Sequence, residues 1–158
     1  GVEIIENDDS VEVCGNGELR RVNIKTLPYP GFPTDMNPQI GVLLCLAKGV
    51  SCLTESIYDN RFKYVEELKR MGASITVDGS TAIIEGGGML SAAPVKALDL
   101  RAGAAMIIAG LAAKGRTEIE DIHFIERGYD DIVGKLRSVG ADIKKVIIPS
   151  AVSFEKAN

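Results

Sequence analysis

Two aspartates and two arginines stand at matching places in an internal repeat of this sequence. Asp35 and Asp99 each precede an apolar segment rich in alanine, glycine and leucine, and Arg61 and Arg127 each precede an amphipathic one. A carboxylate fixed at a loop end can accept a proton from a hydroxyl group. A cation at a helix start opposes the helix dipole, so a positioned arginine there indicates binding of phosphate or carboxylate. We therefore expect the four side chains to gather at one end of the fold, where they would transfer a proton beside a bound anion.

Each of these residues also has a purely structural interpretation. Asp35 is a plausible helix cap, although Thr34 could provide that cap instead. Asp99 and Arg101 could form a local ion pair, which contributes less than about 1 kcal/mol when exposed. The two arginines could simply be solvated at helix starts. The residue types alone leave both interpretations open.

Composition restricts the classes of function. The chain has 158 residues, 46% of them hydrophobic, and a formal net charge of −4. That length favours one domain with one core. The negative charge argues against a general nucleic-acid surface, so a bound anion must be met by locally gathered arginines. A site for a small molecule is the expected result.

Cysteine and histidine usage excludes two further classes. Cys14, Cys45 and Cys52 lack CxxC spacing, and His123 is the sole histidine. Neither a disulfide scaffold nor a zinc site is expected, and the cysteines and the histidine should be structural. No apolar run reaches the roughly 18 residues of a membrane span, and no signal peptide is visible. We expect a cytoplasmic protein whose natural N-terminus lies upstream of Gly1, because the chain opens inside a strand-like run.

The repeat defines the expected architecture. Ala47-Lys48-Gly49 returns as Ala113-Lys114-Gly115, and Met71-Gly72-Ala73-Ser74-Ile75 returns as Val139-Gly140-Ala141-Asp142-Ile143. Such self-similarity indicates repeated supersecondary units. Each unit reads β-α-β-α-β-β. The expected division is the end of a preceding unit at 1–26, one unit at 27–90 and another at 91–152.

Hydrophobic periodicity and turn residues give the predicted elements. The turn residues predict a hairpin at Asp78-Gly79-Ser80, a helix cap at Asp99, and helix ends at Gly72 and Gly140. Strands are predicted at 2–6, 11–14, 19–26, 50–56, 74–77, 81–85, 94–98, 117–122, 142–146 and, weakly, 147–152. Helices are predicted at 38–48, 61–71, 101–114 and 129–139. The helix at 101–114 has almost no polar face, so it should be buried on all sides. The apolar helices should then be central with sheets outside them, which inverts the usual barrel.

Four motifs carry a resemblance to a known family. They are Tyr29-Pro30-Gly31-Phe32-Pro33-Thr34-Asp35-Met36, Glu55-Ser56-Ile57-Tyr58-Asp59-Asn60-Arg61-Phe62, Asp99-Leu100-Arg101-Ala102 and Arg127-Gly128-Tyr129. In this order and spacing they resemble the UDP-N-acetylglucosamine 1-carboxyvinyltransferases of the enolpyruvyl transferase family. The resemblance implies an inside-out α/β barrel, or prism, in two lobes of three units each. This chain would be most of the C-terminal lobe.

The resemblance also implies roles for individual residues. Asp35 would contact the acceptor hydroxyl as general base, and Ile57 would bind the nucleotide sugar. Catalysis would fall to Asp35 and Arg127. The charged residues facing the cleft and handling phosphoenolpyruvate would be Arg61, Asp99, Arg101 and Arg127.

The implied reaction transfers the enolpyruvyl group of phosphoenolpyruvate to the 3-hydroxyl of UDP-N-acetylglucosamine, without a metal or organic cofactor. This is the first committed step of bacterial peptidoglycan synthesis, on which cell-wall biogenesis, cell shape and cell division depend. The family's catalytic cysteine and its lysine for phosphoenolpyruvate belong to the N-terminal lobe, so the chain alone should be inactive and prone to self-association. Two alternatives stay open. One is a lobe of a 3-phosphoshikimate 1-carboxyvinyltransferase, and the other is a non-catalytic domain whose arginines bind a phosphorylated ligand or a partner protein.

Overall fold

The computed structural model describes residues 2–15 and 17–147. Its strands are β1 (Glu3–Glu6), β2 (Val11–Cys14), β3 (Ile24–Lys25), β4 (Gly49–Thr54), β5 (Ser74–Asp78), β6 (Thr81–Gly86), β7 (Pro94–Lys96) and β8 (Glu118–Glu120). Its α-helices are α1 (Asn37–Leu46), α2 (Val65–Arg70), α3 (Leu100–Ala112), α4 (His123–Glu126) and α5 (Ile132–Ser138). Short 3₁₀ turns at Thr34–Met36 and Arg61–Tyr64 precede α1 and α2.

One mixed sheet organises the first half of the chain. Its strand order is β3-β4-β6-β5, with β3 parallel to β4 and the other pairs antiparallel. The hairpin predicted around Asp78-Gly79-Ser80 is confirmed, because β5 and β6 pair directly across it. Since β3 and β4 run parallel, the loops after both strands lie at the same edge of the sheet. That edge carries the candidate site.

The repeat extends to individual backbone hydrogen bonds. The Lys48 amide donates to the Leu19 carbonyl at 2.9 Å, and the Lys48 carbonyl accepts from the Arg21 amide at 3.1 Å. Lys114 repeats this arrangement after α3, donating to Leu90 at 3.1 Å and accepting from Ala92 at 3.1 Å. The matching Ala-Lys-Gly segments therefore leave their helices in the same way.

The core lies where α1 and α3 pack against each other and against the sheet. The largest cluster of buried side chains spans both halves of the chain and includes Val42, Leu44, Leu53, Leu68, Ile84, Val95, Ala105, Met106 and Ala109. Alanines of α3 (Ala102, Ala105 and Ala109) belong to this cluster beside side chains of α1 and the sheet. The two apolar helices thus contribute to one core with the sheet, while their central position in a barrel stays a prediction.

The prediction that the third helix is buried on all sides is wrong for the described residues. Seven of its residues are buried, but Ile108 is 43% exposed and Leu111 is 45% exposed. On α1, Leu43 is 41% exposed. An apolar sequence shows that a helix can be buried on all sides. Whether it is buried depends on which neighbouring elements pack against it.

The strand predicted at 19–26 is reduced to Ile24–Lys25. Side chains take the place of the missing ladder: the Val22 amide donates to Ser51 Oγ at 3.2 Å, and the Cys52 amide donates to Asn23 Oδ1 at 2.9 Å. Polar side chains that bond the backbone in this way compete with regular pairing.

The second unit departs further from its predicted elements. No strand forms at 142–146, a short helix α4 occupies the predicted loop, and α5 begins at Ile132 rather than at Tyr129. A strand needs a partner for its backbone groups. The hairpin partner predicted at 147–152 lies outside the described residues except for Ile147.

Glycine at the end of β6 allows a close approach to α1. A Cβ atom on Gly86 would overlap the carbonyl oxygens of Leu44 and Ala47. We expect Gly86→Ala to lower the free energy of unfolding by about 3 kcal/mol, because backbone atoms at a helix end cannot move aside as a side chain can. Urea unfolding measures the effect. Gly88→Ala is the matched control, since a Cβ there meets nothing within 4 Å. Equal stability of the two variants would contradict the close approach.

Candidate functional site

Three charged residues meet at the edge of the sheet from three different elements. Asp35 lies in the 3₁₀ turn before α1, Arg61 opens the turn before α2, and Arg101 is the second residue of α3. Arg101 Nη2 donates to Asp35 Oδ2 at 2.6 Å, and Arg61 Nη2 lies 3.5 Å from Asp35 Oδ1. One carboxylate is therefore held between two guanidinium groups.

The three side chains differ in how far solvent reaches them. The Arg61 side chain is 7% exposed, that of Arg101 is 38% exposed and that of Asp35 is 53% exposed. Arg61 also lies over the Tyr58 ring, with its guanidinium carbon 4.2 Å from the ring centroid. Stacking of this kind favours a fixed guanidinium plane. The Arg61 side chain is thus buried and held in place, whereas those of Asp35 and Arg101 are partly exposed to solvent.

The ion pair sets the protonation of the carboxylate. The hydrogen bond from Arg101 lowers the pKa of Asp35 below its ordinary value of 3.8. Burial, the next largest effect, opposes this change, and the charges of Arg101 and Arg61 add to it. The same hydrogen bond raises the pKa of Arg101. Asp35 is therefore ionised at neutral pH and able to accept a proton.

Removing Arg101 should raise the pKa of Asp35. A carboxyl group whose pKa is lower in the folded chain than in the unfolded chain stabilises the fold at pH values above its unfolded pKa. This contribution is lost as the pH falls through the folded pKa. Arg101→Met should thus move the Asp35 titration to higher pH and remove the contribution of the pair at neutral pH. Carbon-13 carboxyl shifts measure the titration. Arg116→Met, which breaks an exposed pair with Glu118 at 2.9 Å, is the control. An unchanged Asp35 titration in Arg101→Met would refute the pairing.

Asp99 is a helix cap. Its Oδ1 accepts from the amides of Arg101 and Ala102, both at 2.8 Å, at the start of α3. The carboxylate also raises the pKa of Arg101, after the larger effects of Asp35 and burial. The structure therefore gives Asp99 the capping role predicted for it and brings its charge close to Arg101.

Arg127 and Ile57 stand beside this cluster without joining it. Arg127 follows α4 and is exposed, and among residues 2–15 and 17–147 no hydrogen bond or ion pair holds its side chain. The adjoining Gly128 packs so tightly on Leu100 that a Cβ there would lie 2.7 Å from Leu100 Cδ2. Ile57 is 46% exposed, and its amide donates to Glu55 Oε1 at 2.9 Å.

The helix cap considered for Asp35 or Thr34 is formed by neither residue. Neither helix start at 34–37 has a side-chain cap. Thr34 Oγ1 instead donates to Glu55 Oε2 at 2.9 Å and accepts from Arg61 Nε at 3.2 Å. Glu55 is 5% exposed and received no predicted role. An acidic residue directly after a buried strand, inside a motif of the site, is the signal that could have identified it.

The site is an open surface. A hollow of about 580 Å³ adjoins Arg61 and Tyr58, but Asp35 and Arg101 do not line it. Across the described ranges, no group of three or more histidine, cysteine or acidic side chains could hold a metal ion. None of the described helices combines the length and apolar character needed to cross a membrane.

Comparisons with known proteins show the family of the chain. Residues 1–136 match the family model described as EPSP synthase (3-phosphoshikimate 1-carboxyvinyltransferase). UDP-N-acetylglucosamine 1-carboxyvinyltransferase 3 of Caldanaerobacter subterraneus is 58% identical over 92% of this chain and 35% of its own length. The corresponding enzyme of Geobacter metallireducens is 55% identical over the same shares. The chain thus spans about a third of the length of the curated relatives it matches.

Solved structures give the same result for the fold. The enolpyruvyl transferase NikO from Streptomyces tendae superposes with a TM-score of 0.82 at 31% identity, over 91% of this chain and 34% of that one. EPSP synthase from Acinetobacter baumannii gives a TM-score of 0.57 at 19% identity over 92% of this chain and 34% of that one, which supports the fold alone. The chain has the mixed α/β fold of these proteins and belongs to the enolpyruvyl transferase family that the EPSP synthase model describes.

Proposed function

We propose that this chain forms one wall of the active site of an enzyme that transfers the enolpyruvyl group of phosphoenolpyruvate to the 3-hydroxyl of UDP-N-acetylglucosamine. The observation that carries the proposal is the Asp35 carboxylate held between Arg61 and Arg101, which come from successive repeat units. A proton acceptor beside two cations suits addition of a hydroxyl to an anionic substrate. The relatives at 50–58% identity carry the name of this activity.

Asp35 would act as the general base. In the proposed reaction the sugar hydroxyl oxygen bonds to C2 of phosphoenolpyruvate while an acid gives a proton to C3. Inorganic phosphate then leaves C2 as C3 loses a proton, which restores the double bond in the enolpyruvyl ether. The hydroxyl proton passes to the Asp35 carboxylate. Its low pKa keeps it ionised but makes it a weak base. Once a bound anion draws Arg101 toward itself, its hydrogen bond to Asp35 weakens and the pKa of Asp35 rises, which makes the carboxylate a stronger base.

The arginines would stabilise the negative charge of the intermediate. Arg61 is fixed by Tyr58 and Thr34, so its donors are oriented before a ligand arrives. Such preorganised donors stabilise developing charge without reorganising during the reaction. Arg101 and Arg127 are more exposed and would close on the substrate. Asp99 would support them by fixing the start of α3.

Ile57 would bind the nucleotide sugar through its backbone carbonyl. Its amide already donates to Glu55. No backbone or side-chain donor in the described part of the chain bonds its carbonyl oxygen. The group available to a ligand at this position is therefore an acceptor, which suits the hydroxyl and amide donors of an N-acetyl sugar.

The proposed architecture is most of the C-terminal lobe of a two-lobed inside-out prism. In this division, 1–26 ends one repeat unit, 27–90 is the next, and 91–152 is the third. The exposed apolar side chains of α1 and α3 support it, because a further unit or a second copy would cover Leu43, Ile108 and Leu111. The proposed partners are the two substrates and an N-terminal lobe, with self-association in its absence. A cytoplasmic location belongs to the same proposal, since the three cysteines are free thiols.

Ligand binding separates this function from its alternatives. We expect the chain to bind UDP-N-acetylglucosamine with a Kd of about 1 mM or weaker, because one wall of a cleft supplies few contacts. Amide shifts around Ile57 and Asp35 measure the binding, with uridine diphosphate as the control for the nucleotide alone. Preference for shikimate 3-phosphate would instead support the alternative that the family description suggests. Binding of neither ligand would favour a non-catalytic domain.

A further inference from the structure

Glu55 is a buried carboxylate at the centre of the site. It follows β4 directly and is 5% exposed. Its oxygens accept five hydrogen bonds, from Thr26 Oγ1 at 2.7 Å, Thr34 Oγ1 at 2.9 Å, Asn37 Nδ2 at 2.9 Å, and the amides of Ile57 at 2.9 Å and Tyr58 at 3.0 Å. All five donors come from loops or helix starts at the edge of the sheet that carries Asp35.

Glu55 is ionised in this setting. Burial alone would raise the pKa of its carboxyl group, but the donors from Thr26, the two amides and Thr34 outweigh burial and lower it. None of its five direct partners carries a charge. An ionised carboxylate has no proton to donate, so Glu55 is the acceptor in each of its five hydrogen bonds.

The charge of Glu55 orients Thr34. A threonine hydroxyl has one proton, and here it is given to Glu55 Oε2. The Thr34 oxygen must therefore present a lone pair elsewhere, and Arg61 Nε donates to it at 3.2 Å. Arg61 in turn approaches Asp35 through Nη2 at 3.5 Å. A continuous series of hydrogen bonds thus joins the buried glutamate to the exposed aspartate.

We propose that Glu55 is a positioning residue that couples the proton-accepting side of the site to its sugar-binding side. Its Oε2 holds Thr34, and through it Arg61 and Asp35, whereas its Oε1 holds the amides of Ile57 and Tyr58. One carboxylate therefore fixes both loops relative to each other. The coupling of the two loops stands on the hydrogen bonds themselves, and its kinetic consequence rests on the proposed function.

A role in stability alone accounts poorly for this arrangement. A buried charge is costly to desolvate, and apolar packing would stabilise the same place equally well or better. Glu67 is a buried glutamate of a different kind. It is 6% exposed, and within the described residues its carboxylate accepts one hydrogen bond, from the Lys96 amide at 3.0 Å, and forms an ion pair with Arg70 at 3.7 Å. Glu67 joins α2 to β7, whereas Glu55 bonds only segments of the site.

Glu55→Gln tests the proposal in the 158-residue chain. The amide NH₂ of glutamine cannot accept hydrogen bonds from Thr34 and Asn37. The series of hydrogen bonds from residue 55 through Thr34 to Arg61, called the relay below, should therefore break. We expect exchange of the Arg61 Nε proton with water to accelerate about tenfold, the effect of one lost hydrogen bond. The Asp35 titration should shift as well. Glu67→Gln, with equal burial, should leave both signals unchanged. Unchanged Arg61 exchange in Glu55→Gln would overturn the proposal.

Thr34→Val keeps the test decisive if Glu55→Gln fails to fold. Valine retains the shape of threonine but carries no hydroxyl, so it should reproduce the Arg61 and Asp35 changes. Where both variants fold, the double variant should lose no more than the larger single change, because the two residues act through one path. Independent effects that add would overturn the relay, as would a normal Asp35 titration in Thr34→Val.

Kinetics in the full-length protein that carries this chain test the consequence. Glu55→Gln should lower kcat/KM for the nucleotide sugar about 10- to 100-fold, because a small misplacement of reacting groups is enough for such a loss. Glu67→Gln should stay within about twofold of the parent. Parental kinetics in Glu55→Gln would overturn the coupling. Absence of enolpyruvyl transfer in the parent would reject the proposed function, while Arg61 exchange and the Asp35 titration would still decide whether Glu55 positions these loops.

Discussion

Asp35→Asn in the full-length protein should lower turnover by about 10² to 10⁴-fold, the usual contribution of a positioned general base. Asparagine has the shape of aspartate and keeps an oxygen for Arg101, which lies 2.6 Å from the carboxylate. It cannot take the hydroxyl proton. The loss should therefore appear in kcat rather than in the KM of either substrate. Steady-state release of phosphate measures both constants.

The matched control for this substitution is Glu118→Gln. Glu118 also forms a short exposed pair, with Arg116 at 2.9 Å, but it lies on β8 away from Asp35. Its kinetics should stay within about twofold of the parent. The acid limb of the pH-rate profile should disappear in Asp35→Asn alone, because that limb reports protonation of the base. Turnover near the parental value in Asp35→Asn would reduce the residue to an ion-pair partner.

The 158-residue chain alone should release no phosphate above background. Asp35 is 53% exposed and Arg101 is 38% exposed, so water reaches both groups. Electrostatic stabilisation of a transition state depends on excluding that water, which lobe closure would accomplish. The chain also spans only about a third of the length of its curated relatives. Steady release by the chain alone would show that the essential groups all lie within it.

Local signals in the sequence predicted much of this fold correctly. The cap at Asp99 and the hairpin around Gly79 depend on residues two or three positions apart. Gly72 and Gly140 end α2 and α5 with positive φ angles of 88° and 96°, as their position after an amphipathic helix predicts. Such features depend on residues close together in the sequence, so the packing of distant segments does not change them.

Features that depend on distant residues were predicted poorly. Thr34 resembles a cap because it precedes a helix, but its hydroxyl bonds Glu55, which lies 21 positions away. The strand at 19–26 is interrupted by Ser51 and Asn23, whose bonds cross 29 positions. Exposure of α3 likewise depends on its neighbours. A local pattern of residue types does not indicate which distant side chain will be the hydrogen-bond partner.

The candidate site was predicted in part for the same reason. Charges at helix starts mark Asp35, Arg61 and Arg101 in the sequence, and the structure brings these three into contact. Their roles, like those of Ile57 and Arg127, stay predictions. Glu55, the buried acceptor that joins their loops, received no predicted role because three of its donors, on Thr26, Thr34 and Asn37, lie 29, 21 and 18 positions away.

Reconstitution tests the central claim most directly. The chain is mixed with a separately expressed N-terminal lobe, UDP-N-acetylglucosamine and phosphoenolpyruvate, and inorganic phosphate is assayed. We expect release that requires both substrates and both proteins, and that falls by about 10² to 10⁴-fold when the chain carries Asp35→Asn. Equal release by the Asp35→Asn chain would contradict the account, because proton transfer would then depend on a different residue.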